Sequence, residues 1–265
     1  MGWWSTVVEK IRPATTPLLN IAGDAGDGPV IILIHGIASS AATFKRLVPL
    51  LSDRYRCISI ELLGFGDSPA PAHSTYTIEE HVAAIHHTIH SLHLTSPFVL
   101  VGHSLGSLLS ARYTAVHPAH VSRLVLVSPP VYLSPTEMGD PRARRRLGAY
   151  MRVYEFMREN KDFTIGNADR IASFFQLKDV LEISERNWTP FILSLQNCIE
   201  SQTTVSDIAS IRVPIDVIYG TLDQFLTPGT MSIIEQMRHV TTHRVELSDH
   251  LIRKRLAKAV AGVIN

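Results

Sequence analysis

Ser104 is the side chain whose neighbours best fit covalent chemistry. It stands in Gly102-His103-Ser104-Leu105-Gly106, a G-x-S-x-G pentapeptide. Five residues with three fixed carry little on their own. Here the pentapeptide directly follows the apolar run "PFVLVGH" and directly opens the helical pattern "LGSLLSARYTAVHP". That strand-turn-helix setting is what a nucleophile elbow demands. Side chains at 102 and 106 would collide with neighbouring backbone in so sharp a turn, which explains glycine at both positions. Ser104 is then expected in a strained conformation, its hydroxyl raised at the C-terminal edge of a sheet.

A hydroxyl is a weak nucleophile until a base takes its proton, and the oxyanion it generates needs donors. "LIHGIASS" ends a strand in His35-Gly36 and enters a loop. The backbone N–H groups of Ile37 and Leu105 are the expected oxyanion donors, the latter aided by the dipole of the helix it opens. His35 is read as a structural loop residue.

These side chains need a scaffold, and the chain supplies a rhythm of elements. The runs 29–36, 97–103, 122–128 and 214–220 are rich in Val, Ile and Leu and bounded by Pro and Gly, as strands of a parallel sheet covered on both faces should be. "RCISIEL" (56–62) is a fifth, "HRVEL" (243–247) an edge strand, and "TPLLNIAG" (16–23) the start of the sheet. Helical patterns lie between them. In one, Ile78, Val82, Ile85, Ile89 and Leu92 trace a single face. Such alternation predicts a parallel sheet with helices on both sides. Residues 131–205 break the rhythm with aromatic-rich helical patterns and no buried strand.

The order "HGIASS…ELLGFGDSPAP…VGHSLGS…SPP…YGTLDQF…SDH" resembles the α/β-hydrolase superfamily over nearly the whole chain. It is most similar to the capped branch holding haloperoxidase-like esterases, epoxide hydrolases and carbon–carbon bond hydrolases. The resemblance implies an eight-stranded, mostly parallel sheet, with residues 1–130 and 206–265 as the core and 131–205 as a helical cap. Glu61 stands where that family usually has Asp, and Asp67 and Ser68 are read as loop structure.

The resemblance also implies the chain order Ser, acid, His, with the acid beyond a strand end. "VLVSPPVYLSP" has no carboxylate before Glu137, whereas "IYGTLDQFLTP" places Asp223 just after Gly220. Asp223 is therefore the expected acid, and Asp216 is set aside because it lies inside the strand. His250 follows the last strand and is the expected base. His243 is read as the opening of that strand, roughly 16 Å away at its other end. Asp249 departs from the family's usual Gly and is expected to cap the final helix.

Substrate-binding candidates in the cap are Tyr150, Tyr154, Met157, Phe174, Phe175 and Trp188. The expected reaction is hydrolysis of a small to medium hydrophobic ester, carboxylesterase-like, through an acyl-enzyme with no cofactor. Serine at the elbow argues against dehalogenase and epoxide hydrolase chemistry. A carbon–carbon bond hydrolase of vinylogous diketones, a hydrolase-fold ligand receptor and a lyase are the alternatives.

Other features set bounds. Lys and Arg number 25 against 24 acids, for a net charge of +1, so no nucleic-acid partner is expected. Apolar residues make up 45%, ample for a core. Cys57 and Cys198 form neither a disulfide framework nor a zinc site, which suits a cytoplasmic setting. The N-terminus lacks a signal-peptide pattern, and no apolar run is long enough to span a membrane. Trp3, Trp4, Val7, Val8 and Ile11 fall on one face of an expected short helix. His86, His87, His90 and His93 lie off the apolar stripe of their helix; His86 and His90 have ligand spacing, but a solvated face and no metal are expected. "PRARRR" (141–146) is likewise read as a solvated helix face.

Overall fold

The computed structural model describes residues 16–132, 141–178, 180–226 and 228–265. The expected N-terminal helix lies outside them. Seven strands form one sheet in the order β1-β3-β2-β4-β5-β6-β7. They are β1 (Ile21–Ala25), β2 (Val30–Ile34), β3 (Arg56–Ile60), β4 (Phe98–His103), β5 (Val121–Val127), β6 (Ile215–Gly220) and β7 (Val240–Val245). Only β1, on the edge beside β3, runs antiparallel. The mostly parallel sheet agrees with the sequence reading, with seven strands among the described residues rather than eight.

Two strand limits differ from expectation. β1 begins at Ile21 rather than residue 16. β7 begins at Val240, because Thr241 and Thr242 are β-branched and pair with Asp216 and Val217. His243 is therefore mid-strand, opposite Ile218, and does not open the strand.

Successive strand residues point to opposite faces, which divides the core in two. Ile32, Ile34, Ile58, Ile60, Leu100, Leu124 and Leu126 pack under α1 (Ile78–Ser91) and α2 (Leu105–Val116). Ile31, Leu33, Cys57, Val101, Val125 and Ile218 pack under Phe44, Leu47 and Leu51 and under α9 (Lys254–Ile264). Each of these fully buried side chains contributes roughly 1.5–3 kcal/mol. α1 starts where the Thr77 hydroxyl accepts from Glu80 N at 3.2 Å. The Glu80 carboxylate returns to Tyr76 N at 2.7 Å, satisfying an amide ahead of the first turn.

Between β5 and β6 runs a helical insertion: α3 (Pro141–Glu159), α4 (Lys161–Gly166), α5 (Ala168–Phe174), α6 (Trp188–Ser194) and α7 (Thr204–Ser210). α6 continues into a π-helical stretch, Leu195–Glu200. α7 straddles residue 206 and packs on α2, where Asp207 meets Arg112 at 3.3 Å. It thus lies with the core layer. α8 (Pro228–Glu235) follows β6. Among the described residues no helix is long and apolar enough to cross a membrane.

Candidate active site

β4 ends at His103 and α2 begins at Leu105, leaving Ser104 alone to make the turn. Its backbone sits at φ 53°, ψ −123°, a region that costs a residue with a side chain on the order of 1–3 kcal/mol. The neighbours over-determine it. A Cβ on Gly102 would lie 2.3 Å from Gly106 O, and one on Gly106 would lie 2.2 Å from Ile34 O. Ser104 N donates to Val127 O at 3.0 Å. Ser107 Oγ ties the turn to Gly102 O at 2.7 Å. Ser104 is buried but reaches the wall of a cavity.

The carboxylate and imidazole come from beyond the ends of the last two strands, β6 and β7. Asp223 follows β6, its N–H donating to Gly220 O at 3.2 Å. A Cβ on Gly220 would stand 2.1 Å from Ser248 O, so glycine there lets the acid turn lie directly against the segment bearing His250. His250 Nδ1–H donates to Asp223 Oδ2 at 2.9 Å, and Phe225 N–H donates to Asp223 Oδ1 at 2.9 Å. Burial alone would raise the Asp223 carboxyl; the His250 charge and these hydrogen bonds outweigh it and hold the carboxyl below its usual range. With Nδ1 as donor, Nε2 is the acceptor of the His250 ring. His250 lines the same cavity as Ser104.

Two further histidines hold this arrangement. His103 Nε2–H donates to the His250 carbonyl at 2.9 Å, and burial pushes its imidazole down to about 3. His35 Nδ1–H donates to Gly36 O at 2.7 Å while Nε2 accepts from Leu62 N at 2.9 Å. Burial lowers His35 to about 4, so it is a neutral brace for the loop. A Cβ on Gly36 would press to 3.0 Å from Ser104 Cβ. Glycine therefore lets the loop pass against the serine, and Ile37 joins the cavity wall. Leu105 is the first residue of α2, where helix amides have no intrahelical acceptor. The next loop residue, Ala38, accepts from Glu182 N of the insertion at 2.7 Å. Glu61, in the family's Asp position, accepts from Asn20 Nδ2 at 2.8 Å and Asp67 N at 2.7 Å, and Ser68 Oγ donates to its carbonyl.

The cavity has a volume of about 80 Å³. Of the aromatic and Met residues singled out in the insertion, Tyr154, Met157 and Phe175 line it. Tyr150, Phe174 and Trp188 are not on its wall. The Tyr150 hydroxyl donates to Gln224 O. Phe174 is 78% exposed, and Trp188 packs on Phe191 with ring centroids 6.1 Å apart. Sequence reasoning overlooked Phe225, whose ring meets His250 at 4.7 Å and Phe175 at 5.7 Å. It also overlooked Leu181, Phe191, Leu195 and Ile199. The one available signal was the position of Phe225, two residues after the acid.

Two neighbouring side chains depart from their expected roles. Asp249 does not cap α9, whose N-cap is Arg253. Its carboxylate instead accepts from Leu251 N at 3.2 Å and Arg253 Nε at 2.9 Å, because the chain makes a further turn before the helix starts. His243 Nε2 bonds Asp216 Oδ1 at 2.8 Å, and Arg123 Nε bonds Asp216 Oδ2 at 2.7 Å. Asp216 is thus satisfied within the sheet.

A family model described as the alpha/beta hydrolase fold matches residues 29–252. The chain belongs to the α/β-hydrolase family. Over 110 residues it is 38% identical to a probable lysophospholipase, BODYGUARD 2, of Arabidopsis thaliana; the match covers 40% of this chain and 23% of that one. Over 148 residues it is 30% identical to a cis-3-alkyl-4-alkyloxetan-2-one decarboxylase of Xanthomonas campestris pv. campestris, covering 53% of this chain and 49% of the other. The chain therefore spans less than half the length of these curated relatives. Among solved structures, a serine hydrolase involved in carbazole degradation superposes with a TM-score of 0.66 at 20% identity, covering 91% of both chains. At that identity the likeness concerns the fold alone.

Proposed function

We propose that this α/β-hydrolase family member is a serine hydrolase that cleaves small to medium hydrophobic esters through an acyl-enzyme. One observation carries the reading: His250, paired with the buried Asp223 at 2.9 Å, lines the same cavity as Ser104 in its elbow. In the proposed reaction His250 Nε2 takes the Ser104 proton as Oγ attacks the ester carbonyl. The Ile37 and Leu105 N–H groups hold the resulting oxyanion. His250 then gives the proton to the departing alcohol. Water, activated by the same imidazole, adds to the acyl-enzyme and releases the acid and free Ser104. Asp223 keeps the ring in its Nδ1–H form and stabilises the imidazolium.

Residues 131–205 act as the cap in this reading. Tyr154, Met157 and Phe175, with Phe225 from the core, contact the acyl group. Their apolar character favours an aliphatic or aryl acyl chain, in keeping with a relative named as a lysophospholipase. The buried free thiols of Cys57 and Cys198 suit a reducing compartment such as the cytoplasm.

Steady-state turnover of short nitrophenyl esters beside vinylogous diketones tests the reading. Ester turnover, lost in Ser104→Ala and matched by fluorophosphonate labelling of Ser104, supports it. Preferential cleavage of the diketones would make the chain a carbon–carbon bond hydrolase. Ligand-induced stabilisation without turnover would make it a receptor, and turnover with an unlabelled Ser104 in folded protein would make it a lyase.

A further inference from the structure

At the opposite edge of the sheet from Ser104, three histidines from separate elements converge. His86 lies on α1, His117 closes α2 and His120 ends the turn that leads into β5. α2 separates this cluster from the elbow by about 18 Å. We propose that His86, His117 and His120 bind a late first-row divalent metal ion, of which Zn²⁺ is the representative.

The donor atoms carry the argument. One nitrogen from each imidazole can be chosen so that all three lie within 4.8 Å of one another. Zinc holds imidazole nitrogens at about 2.0–2.1 Å, which sets tetrahedral nitrogens about 3.3 Å apart. The nitrogens therefore have to close by at most about 1.5 Å, a shift that side-chain torsions can supply over fixed backbone. His86 Nδ1 is buried and has no hydrogen-bond partner among the described residues. The Tyr113 hydroxyl meets His120 Nδ1 at 3.2 Å. This contact orients the ring and leaves Nε2 for a metal, as outer partners of ligating histidines do. Burial, then the charges of neighbouring histidines, lowers both His86 and His117. A water would complete four-coordination. Three imidazoles without thiolate suit zinc, nickel or copper and not magnesium or calcium.

The ring geometry imposes one requirement. His86 and His117 stack with centroids 4.0 Å apart and planes 8° from parallel. Imidazole lone pairs lie in the ring plane, so stacked rings cannot both aim at one ion. Binding must rotate at least one ring about χ2, a soft torsion, and break that stack. The ion would then tie α1 to the junction of α2 and β5.

The test uses metal-free full-length protein, zinc titration against a chromophoric competitor, and histidine ring NMR. One Zn²⁺ per chain is expected. His117→Gln and His120→Gln should each weaken binding by at least about tenfold. The ring signals of His86 and His117 should move as the stack opens, with those of His250 unchanged. His120 is exposed, so its variant keeps the fold should His117→Gln fail to. Magnesium at millimolar concentration should not compete. No zinc uptake, uptake indifferent to both substitutions, or shifts confined to His250 and His103 would each overturn the proposal. None of these readouts depends on hydrolytic turnover.

Discussion

The left-handed backbone at Ser104 separates what the side chain costs from what it does. Ser104→Ala keeps the Cβ and the strain but loses the proposed nucleophile; kcat is expected to fall by at least about 10⁴. Ser104→Gly should lose the same activity while gaining about 1 kcal/mol of stability in denaturant melts, because glycine adopts this φ freely. Asp223→Asn should lower kcat on the order of 10⁴ while leaving fluorophosphonate able to label Ser104 slowly. Since the carboxyl is held low, it stays ionised at any pH above the ordinary carboxylate range and sets no limb of a rate profile there. The elbow was legible because its constraint is local: two glycines and a serine between an apolar run and a helix. Phe225 was not, because the direction of a ring two residues past Asp223 depends on a turn that only the folded chain defines.

At the level of elements, glycines decide how closely strand, turn and loop approach. Gly106→Ala puts a Cβ 2.2 Å from Ile34 O and 2.4 Å from His35 O. The end of β2 must move, with an expected loss of about 1–3 kcal/mol and a lower kcat as the Ile37 amide shifts with it. The insertion was legible as helices and opaque as a wall. Phe174 and Phe175 are adjacent in sequence, yet one is exposed and the other faces the cavity, because neighbours on a helical path point about 100° apart. Phe175→Ala should open that wall and shift the preferred nitrophenyl ester to a longer acyl chain, read as a change in the kcat/KM ratio across a chain-length series. Asp249 misled for a related reason: a residue suited to capping precedes a helical pattern, but α9 begins at Lys254 and not immediately after it.

Across the whole molecule, the thirteen histidines include three that are buried and neutral: His35 lowered to about 4, and His81 and His103 each to about 3, all by burial. In the unfolded chain they titrate near 6.5. Between that value and about 4 the unfolded state holds more protons than the native state, by close to three near pH 5. Stability therefore rises with pH through this window and falls on acidification, by about 4 kcal/mol per pH unit near pH 5 from these groups alone. Melting temperature should drop steeply from pH 7 to pH 5. His81→Gln, which can keep a bond to Ser194 Oγ, should flatten the slope by about one proton. Buried strands were readable from their Val, Ile and Leu runs. The cluster of His86 with His117 and His120 was not, because α1 packing against the end of α2 is what joins them.

The hydrogen bond from Glu182 N to Ala38 O runs from the insertion to the loop beside Ser104 through peptide groups alone. Lifting residue 182 would release the Ala38 carbonyl, so in the proposed reaction the insertion and the loop that carries Ile37 share one strut. Because neither side chain takes part, evolution can vary position 182 among nineteen residues without touching the strut. Proline, which brings no N–H, is the single replacement that removes it.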